Sequence, residues 1–196
     1  MRIAKAAHLY FDESNYIHDS VVFIFENEYS IQLGKNNHIM PGSVIKAGTG
    51  YREATIIGDN NYIGPSCVID SDSLIGNNNK IIGNSLIGVH ASVLNNVLIE
   101  HSASISNYTT VGSFSSIGTL TPINKDVKPF SKVFGNPPSL RGVNMSKAIK
   151  EHFSESEITE IEDFIKRNKK LSEAYLISIV DEFYNQSRKK HYDYSI

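Results

Sequence analysis

A branched aliphatic residue recurs at every sixth position through much of this 196-residue chain, and few sequence features restrict a fold more. Starting at Ile57, the steps fall on Ile63, Ile69, Ile75, Ile81, Ile87, Val93, Ile99, Ile105, Val111, Ile117 and Ile123, twelve hits with no insertion. If about a quarter of residues qualified at random, such a run would have odds on the order of one in ten million. Chance is excluded. Stepping backward gives Tyr51, Ile45, Ile39 and Leu33, of which only Tyr51 leaves the aliphatic class.

A period of six is neither the 3.6 of a helix nor the two of a long strand. It fits a short strand followed by a corner, in which the branched side chain fills an interior and a Gly or Asn turns the chain. The companion positions agree. Gly58, Gly64, Gly76, Gly88, Gly112 and Gly118 each follow an aliphatic, and Asn60, Asn61, Asn77, Asn78, Asn79, Asn84, Asn95 and Asn96 fall where corners belong. A small residue, such as Cys67, Ser73, Ser85, Ala91 or Ala103, stands four places after the aliphatic. Between Ile56 and Ile123 the charged residues are Asp59, Asp70, Asp72, Lys80 and Glu100. That is little charge for a shaft wholly in water, so part of it is expected to be covered by another copy.

This pattern resembles the hexapeptide-repeat acyltransferases. The resemblance implies an all-β solenoid, a left-handed parallel β-helix in which three hexads make one triangular coil, and a homotrimer with active sites in the grooves between prisms. Period alone would not suggest left-handedness, since parallel crossovers are normally right-handed. Sixteen hexads from Leu33 to Lys128 make about five coils, roughly 25 Å tall at about 4.8 Å per coil. The expected organisation is an N-terminal cap over residues 1–30, the β-helix over 31–135, and a small C-terminal α-helical appendage over 136–196.

Beyond Ile123 the register stops, and Gly135-Asn136-Pro137-Pro138 ends the ladder. Ser154 and Glu157 form a capping box that predicts a helix from about Glu155 to Arg167, with Ile158, Ile161, Phe164 and Ile165 on one face. Ser172 is expected to cap a second helix with Leu176, Ile179, Val180 and Phe183 as its stripe. Both stripes are read as core against the end of the prism. Here the resemblance sharpens. Gly135-Asn136, Gly142-Val143-Asn144, Phe153-Ser154 and Ile158/Ile161 match the segment after the β-helix in the UDP-N-acetylglucosamine O-acyltransferases of lipid A synthesis, where basic side chains reach the nucleotide phosphates. It implies a binding set of Gly118, Asn136, Arg141, Asn144 and Lys150, with Lys147 as a further cation. Lys150 and Glu151 stand where that family has two adjacent arginines, and the extra coils of its long-chain acyl ruler are missing. A short acyl group therefore suits this chain.

Acyl transfer from a thioester needs a base for the nucleophile's proton and donors for the tetrahedral oxyanion. Of the seven histidines, His8, His18 and His191 lie outside the repeat and are expected on the surface, His152 follows the repeat, and His38 and His90 take corner-like places within it. His101, in Ile99-Glu100-His101-Ser102-Ala103, is the residue the resemblance assigns as base, though Ser102 and Ala103 replace the Asp and Cys usual there. Eighteen residues on is Thr119, to which the resemblance assigns the oxyanion-binding backbone N–H. Glu100 joins the catalytic set as a carboxylate able to face a site across a trimer groove, with Asp70 and Asp72 as alternative partners of the base. Cys67 is expected to be buried, so no covalent intermediate is implied.

Composition narrows the rest. Nineteen Lys and Arg against 21 Asp and Glu, a net charge of −2, argue against nucleic acid or an anionic membrane as main partner. No apolar run reaches the roughly 18 residues of a spanning helix. The N-terminus turns polar at Asp12 before a signal core forms, which suggests a cytoplasmic protein. One cysteine excludes a disulfide framework and a multi-cysteine metal site. The reading is an acyltransferase moving a short acyl group from acyl-CoA or acyl-ACP, a co-substrate rather than a resident cofactor, to an amino or hydroxyl group of a nucleotide-linked sugar. Two alternatives stand beside it. One is a non-catalytic β-helix scaffold. The other is a γ-class carbonic anhydrase, for which His90 and His101 lack a third imidazole at the needed spacing.

Overall fold

The structure, a computed structural model, describes residues 2–4, 8–26, 28–48 and 52–192, so Tyr51 of the sixfold series lies outside the described residues. The chain winds into a parallel β-solenoid with three walls of seven, six and eight strands. The first wall begins with Arg2–Ala4, the second with Leu9–Tyr10 and the third with Tyr16–Ile17. Every neighbouring pair is parallel except the last on the third wall. Within the regular repeat a strand is only two residues long, as in Leu86–Ile87, Ser92–Val93 and Leu98–Ile99, because the corner takes the other four of each hexad.

The twelve aliphatics from Ile57 to Ile123 are all at most 1% exposed, each stacked on the one eighteen residues away, as Ile69 on Ile87 and Ile87 on Ile105. Cys67, Ser73, Ser85, Ala91 and Ala103 are buried beside them. The corner chemistry differs in one respect from the sequence expectation. The left-handed residue is the third after each aliphatic, in eleven successive hexads from Asn60 to Leu120. The glycines directly after the aliphatics serve close approach instead. A Cβ on Gly64 would lie 2.6 Å from the Gly83 nitrogen of the next coil. Asparagines also build a ladder inside the prism. Asn37, Asn61 and Asn79 are buried, each carboxamide oxygen accepts a backbone N–H of the coil above, and each Nδ2 donates to a backbone carbonyl. Buried amides are satisfied in this way at every rung.

There are about seven turns rather than the five expected, roughly 29 Å from first to last layer at about 4.8 Å each. The walls begin well before residue 31, with irregular coil lengths that hide them from a period search. Ile3 pairs with Phe23, twenty residues on, and Ile17 with Ile39, twenty-two on. Ile45 pairs with Ile69, twenty-four on. That last coil exceeds eighteen by six residues, between Ala47 and Ala54. A surplus of one whole hexad leaves the sixfold series in step, which is why it falls on Tyr51.

At the top, Ser131–Phe134 adds in parallel to Ser116–Ile117, and Ser139–Val143 folds back antiparallel on it. Three helices follow: α1 (Lys147–His152), α2 (Glu155–Arg167) and α3 (Ala174–Gln186). α2 opens on the capping box of Ser154 and Glu157, and it packs on Ser139–Val143 at the prism end. α3 starts at Ala174, and Ser172 is not its cap. Glu173 is, without a side-chain bond, while the Ser172 N–H donates to the Glu160 carboxylate of α2. α3 packs on the last strand of the second wall, Thr110–Val111, where Thr110 Oγ1 donates to the Gln186 carbonyl at 3.0 Å.

Candidate active site

His101 stands on the corner that joins the third wall to the first, between Leu98–Ile99 and Ser104–Ile105. The left-handed turn there belongs to Ser102, so His101 precedes it and its side chain is exposed. The ring makes no hydrogen bond or ion pair with the described residues. One coil above are Gly118, Thr119 and Leu120, with the Leu120 N–H donating to the His101 carbonyl at 3.0 Å. Thr119 is exposed, and its backbone N–H is outside the ladder. That N–H donates to Glu100 Oε2 at 3.1 Å, and the Thr119 hydroxyl donates to the same oxygen at 3.0 Å. A carboxylate, itself an oxyanion, thus sits on the donor pair. Glu100 is bound upward to Thr119 and not to the imidazole.

The third tier of this corner is Phe134 and Gly135. A Cβ on Gly118 would meet the Phe134 Cβ at 2.5 Å, so only glycine fits beneath that strand. The Gly135 N–H donates to Thr121 Oγ1 at 3.1 Å. The Arg141 guanidinium lies 5.0 Å from the centre of the Phe134 ring, where cation and ring face attract. Arg141 is exposed, as is Asn136 in the turn that follows Gly135. His101, Glu100, Gly118, Thr119, Asn136 and Arg141 therefore share one end of one corner column.

Asn144 and Lys150 belong elsewhere. Asn144 is buried, its N–H donates to the Phe130 carbonyl and its Nδ2 to the Phe114 carbonyl at 2.8 Å. These are corner residues between the second and third walls, and Asn144 is committed to them. Lys150 is exposed on α1, whose His152 ring lies 5.0 Å from Phe114 over that same corner. Lys147 pairs with Glu151 at 3.4 Å. Within one chain, then, the segment after the repeat divides between two corners.

The third corner, between the first and second walls, holds a cluster that the sequence did not announce. His90 and Asp72, 3.6 Å apart, have side chains 3% and 0% exposed. The Tyr108 ring lies 4.7 Å from that of His90. Arg52 donates from Nη1 to the Asp72 carbonyl at 3.1 Å, and Asp70 pairs with Lys46 at 3.4 Å. Within one chain, both aspartates thus stand at a different corner from His101. Burial holds the His90 pKa below its ordinary value; the Asp72 charge opposes this and the Arg52 and Arg188 charges add to it. Nearby, buried Asp126 ties down the C-terminal arm: its Oδ2 accepts from Ser187 Oγ and from the N–H groups of Arg188 and Lys189, all within 2.8 Å. His38, read as a corner residue, lies on the strand His38–Ile39 instead. The pair a carbonic anhydrase would use, His90 and His101, is split between two corners, and among the described residues no cluster of three or more His, Cys, Asp or Glu side chains could hold a metal ion.

A groove of about 450 Å³ runs along the first wall between the two histidine corners, past Leu86, Ser104, Ser106, Asn107 and Lys189. Cys67 is buried, and that burial pushes its thiol pKa up, away from nucleophilic use. No described helix is long and apolar enough to cross a membrane.

No family model matches the chain, and no curated protein sequence does. Solved structures do. PerB from Caulobacter crescentus, with CoA and GDP-perosamine, is 22% identical over 65% of this chain and 57% of its own, with a TM-score of 0.57. The chain thus spans just over half the length of that protein. The UDP-N-acetylglucosamine acyltransferase of Francisella novicida is 18% identical over 98% of this chain and 94% of its own, TM-score 0.57. AntD, an N-acyltransferase from Bacillus cereus, here as a point mutant in complex with dTDP-4-amino-4,6-dideoxyglucose and coenzyme A, is 12% identical over 77% and 90%, TM-score 0.62. All are hexapeptide-repeat β-helix enzymes, and theirs is the fold this chain has.

Proposed function

We propose that the protein is an acyltransferase that moves a short acyl group from acyl-CoA or acyl-ACP to an amino or hydroxyl group of a nucleotide-linked sugar, acting in the cytoplasm as a homotrimer. The observation that carries this reading is the exposed imidazole of His101 one coil beneath the Thr119 N–H, a base and an oxyanion donor on one corner. The acyltransferases of the same fold support the kind of reaction.

His101 takes the proton from the acceptor as its nitrogen or oxygen attacks the thioester carbon. The carbonyl oxygen becomes an alkoxide on the Thr119 N–H, displacing the Glu100 carboxylate that otherwise occupies that donor. Collapse re-forms the C=O bond and breaks the C–S bond. The thiolate leaves with the proton from the imidazolium, so the products are the acylated sugar and a free thiol. No protein nucleophile is used, in keeping with the burial of Cys67. Gly118 keeps the Thr119 corner tight under Phe134, while Arg141 and Asn136 offer a cation and an amide two tiers above the base. Lys150 remains a candidate phosphate ligand only if its corner meets the His101 corner of a neighbouring subunit, and Asn144 acts by holding its own loop.

Thermal-shift screening with acetyl-CoA and with UDP-, dTDP- and GDP-linked amino sugars tests the ligands directly. A ligand present at a hundred times its dissociation constant adds about 2.7 kcal/mol to stability. Thiol release then tests the reaction, and turnover left intact in His101→Ala would remove that residue as base.

A further inference from the structure

Leu120 is out of keeping with the corner position it occupies. The third residue after each interior aliphatic is left-handed throughout the repeat, and there a branched or bulky side chain crowds its own backbone. Asparagine fills the place at 36, 60, 78, 84 and 96, serine at 66 and 102, and aspartate at 72. The bulky left-handed residues are His90, Tyr108, Phe114, Leu120 and Phe130. Packing explains four of them. His90, Phe114 and Phe130 are at most 6% exposed, and Tyr108 lies against the His90 ring. Leu120, with φ of 56°, is 68% exposed, more than any other large apolar side chain among the described residues. It gains neither an easy backbone conformation nor burial, so folding does not account for it.

Its place on the corner does. Leu120 lies directly above the His101 backbone, to which it donates, and it follows Thr119 in the chain. In a thioester whose carbonyl oxygen rests on the Thr119 N–H, the alkyl substituent is one bond from the carbonyl carbon, and the next side chain along that corner is that of Leu120. We infer that Leu120 is a specificity residue whose isobutyl group covers the alkyl part of the transferred acyl group. The inference rests on the acyl-transfer reading above. The methyl group of a deoxy-sugar acceptor has the same aliphatic chemistry, and varying donor and acceptor separately distinguishes the two sources.

The test uses the full chain with Leu120→Asn and Leu120→Gly, substitutions whose side chains suit this backbone conformation. The expected melting temperature rises by about 1–3 °C, because the left-handed turn is relieved. With the acceptor fixed, the ratio of kcat/KM for butyryl-CoA to that for acetyl-CoA falls about fivefold to tenfold, and the oligomer mass is unchanged. A ratio that stays constant or rises overturns the assignment. So does a preference that shifts only between a 6-deoxy amino sugar and its 6-hydroxy counterpart, which places the contact on the acceptor, or a loss of oligomer mass, which makes Leu120 an interface residue. Turnover that requires His101 but ignores position 120 removes this inference alone. Absence of turnover with either donor removes the acyl-transfer reading and this inference with it.

Discussion

His90 and His101 are two corner histidines eleven residues apart in one repeat, yet the first is 4% exposed and the second faces solvent. Position within the hexad explains part of the contrast. His90 is itself the left-handed residue, whereas at the other corner Ser102 takes that conformation. It does not explain the burial, because Asn60, Asn84 and Ser102 hold the same hexad position as His90 and are exposed. What differs is the traffic over the corner. Arg52, at the end of the six-residue surplus, reaches the corner, and the arm held by Asp126 brings Arg188 near it as well. Distant parts of the chain seal one histidine into the fold and leave the other available for chemistry.

Exchanging the two is the strongest way to break this contrast. His101→Ala is expected to lower kcat/KM by about 10²–10⁴-fold and to leave the melting temperature where it was, since an exposed ring with no hydrogen bond or ion pair to the described residues contributes little to stability. His90→Asn should do the reverse, keeping turnover and altering stability, with asparagine suited to the left-handed backbone. Thiol-release kinetics and circular-dichroism melts of both variants decide the matter. Loss of turnover in His90→Asn with turnover retained in His101→Ala would reverse the assignment of roles.

A smaller effect is expected at the arm that keeps the contrast in place. Asp126 is fully buried and accepts from four donors, counting the Thr110 N–H at 2.8 Å on its other oxygen. Asp126→Ala leaves those donors without their acceptor, which should cost about 3 kcal/mol, or roughly 6–12 °C in melting temperature for a chain of this size. The protein should still melt cooperatively, because the interior stack from Ile57 to Ile123 does not depend on the arm. A melting temperature that does not move would mean that the arm is not anchored at Asp126.

The same contrast marks how far sequence reasoning reaches. The interior stack and the Ser154 capping box were legible because each depends on residues close in sequence: a branched side chain every six, an acceptor and a carboxylate three apart. That His101 and Thr119 share a corner also follows from simple counting, eighteen residues being three hexads. Counting fails where the coil changes length, so the coils of 20 and 22 residues near the N-terminus leave no sixfold signal, and a surplus of six is silent within the period itself. It fails again after Ile123. Nothing in Asn144 or Lys150 says that their segment lies over the Phe114 corner rather than over His101, because that depends on how the hairpin and α1 pack. The burial of His90 was illegible for the same reason, as Arg52 and Arg188 approach it from 38 residues before and 98 after.

The smallest expected effect is on the pH dependence of stability, and it tests the sealed corner without reference to any substrate. In the unfolded chain the imidazole of residue 90 takes up its proton near pH 6.5, the ordinary histidine value. In the fold, burial lowers that pKa; the charges of Arg52 and Arg188 work in the same direction and Asp72 against it. Between the two values the unfolded chain binds more protons than the folded one, so stability rises with pH across that window. The contribution of a neutral His90 is therefore complete above about pH 6.5 and is lost as pH falls through the folded value. Melting temperature should drop more steeply between pH 7.5 and pH 5.5 in the wild type than in His90→Asn, which has no imidazole to protonate at this corner. Melting curves at a series of pH values decide it, with His101→Ala run alongside as the open-corner control. If the wild-type and His90→Asn profiles stay parallel through that range, protonation costs this corner nothing, and His90 is as accessible to water as His101.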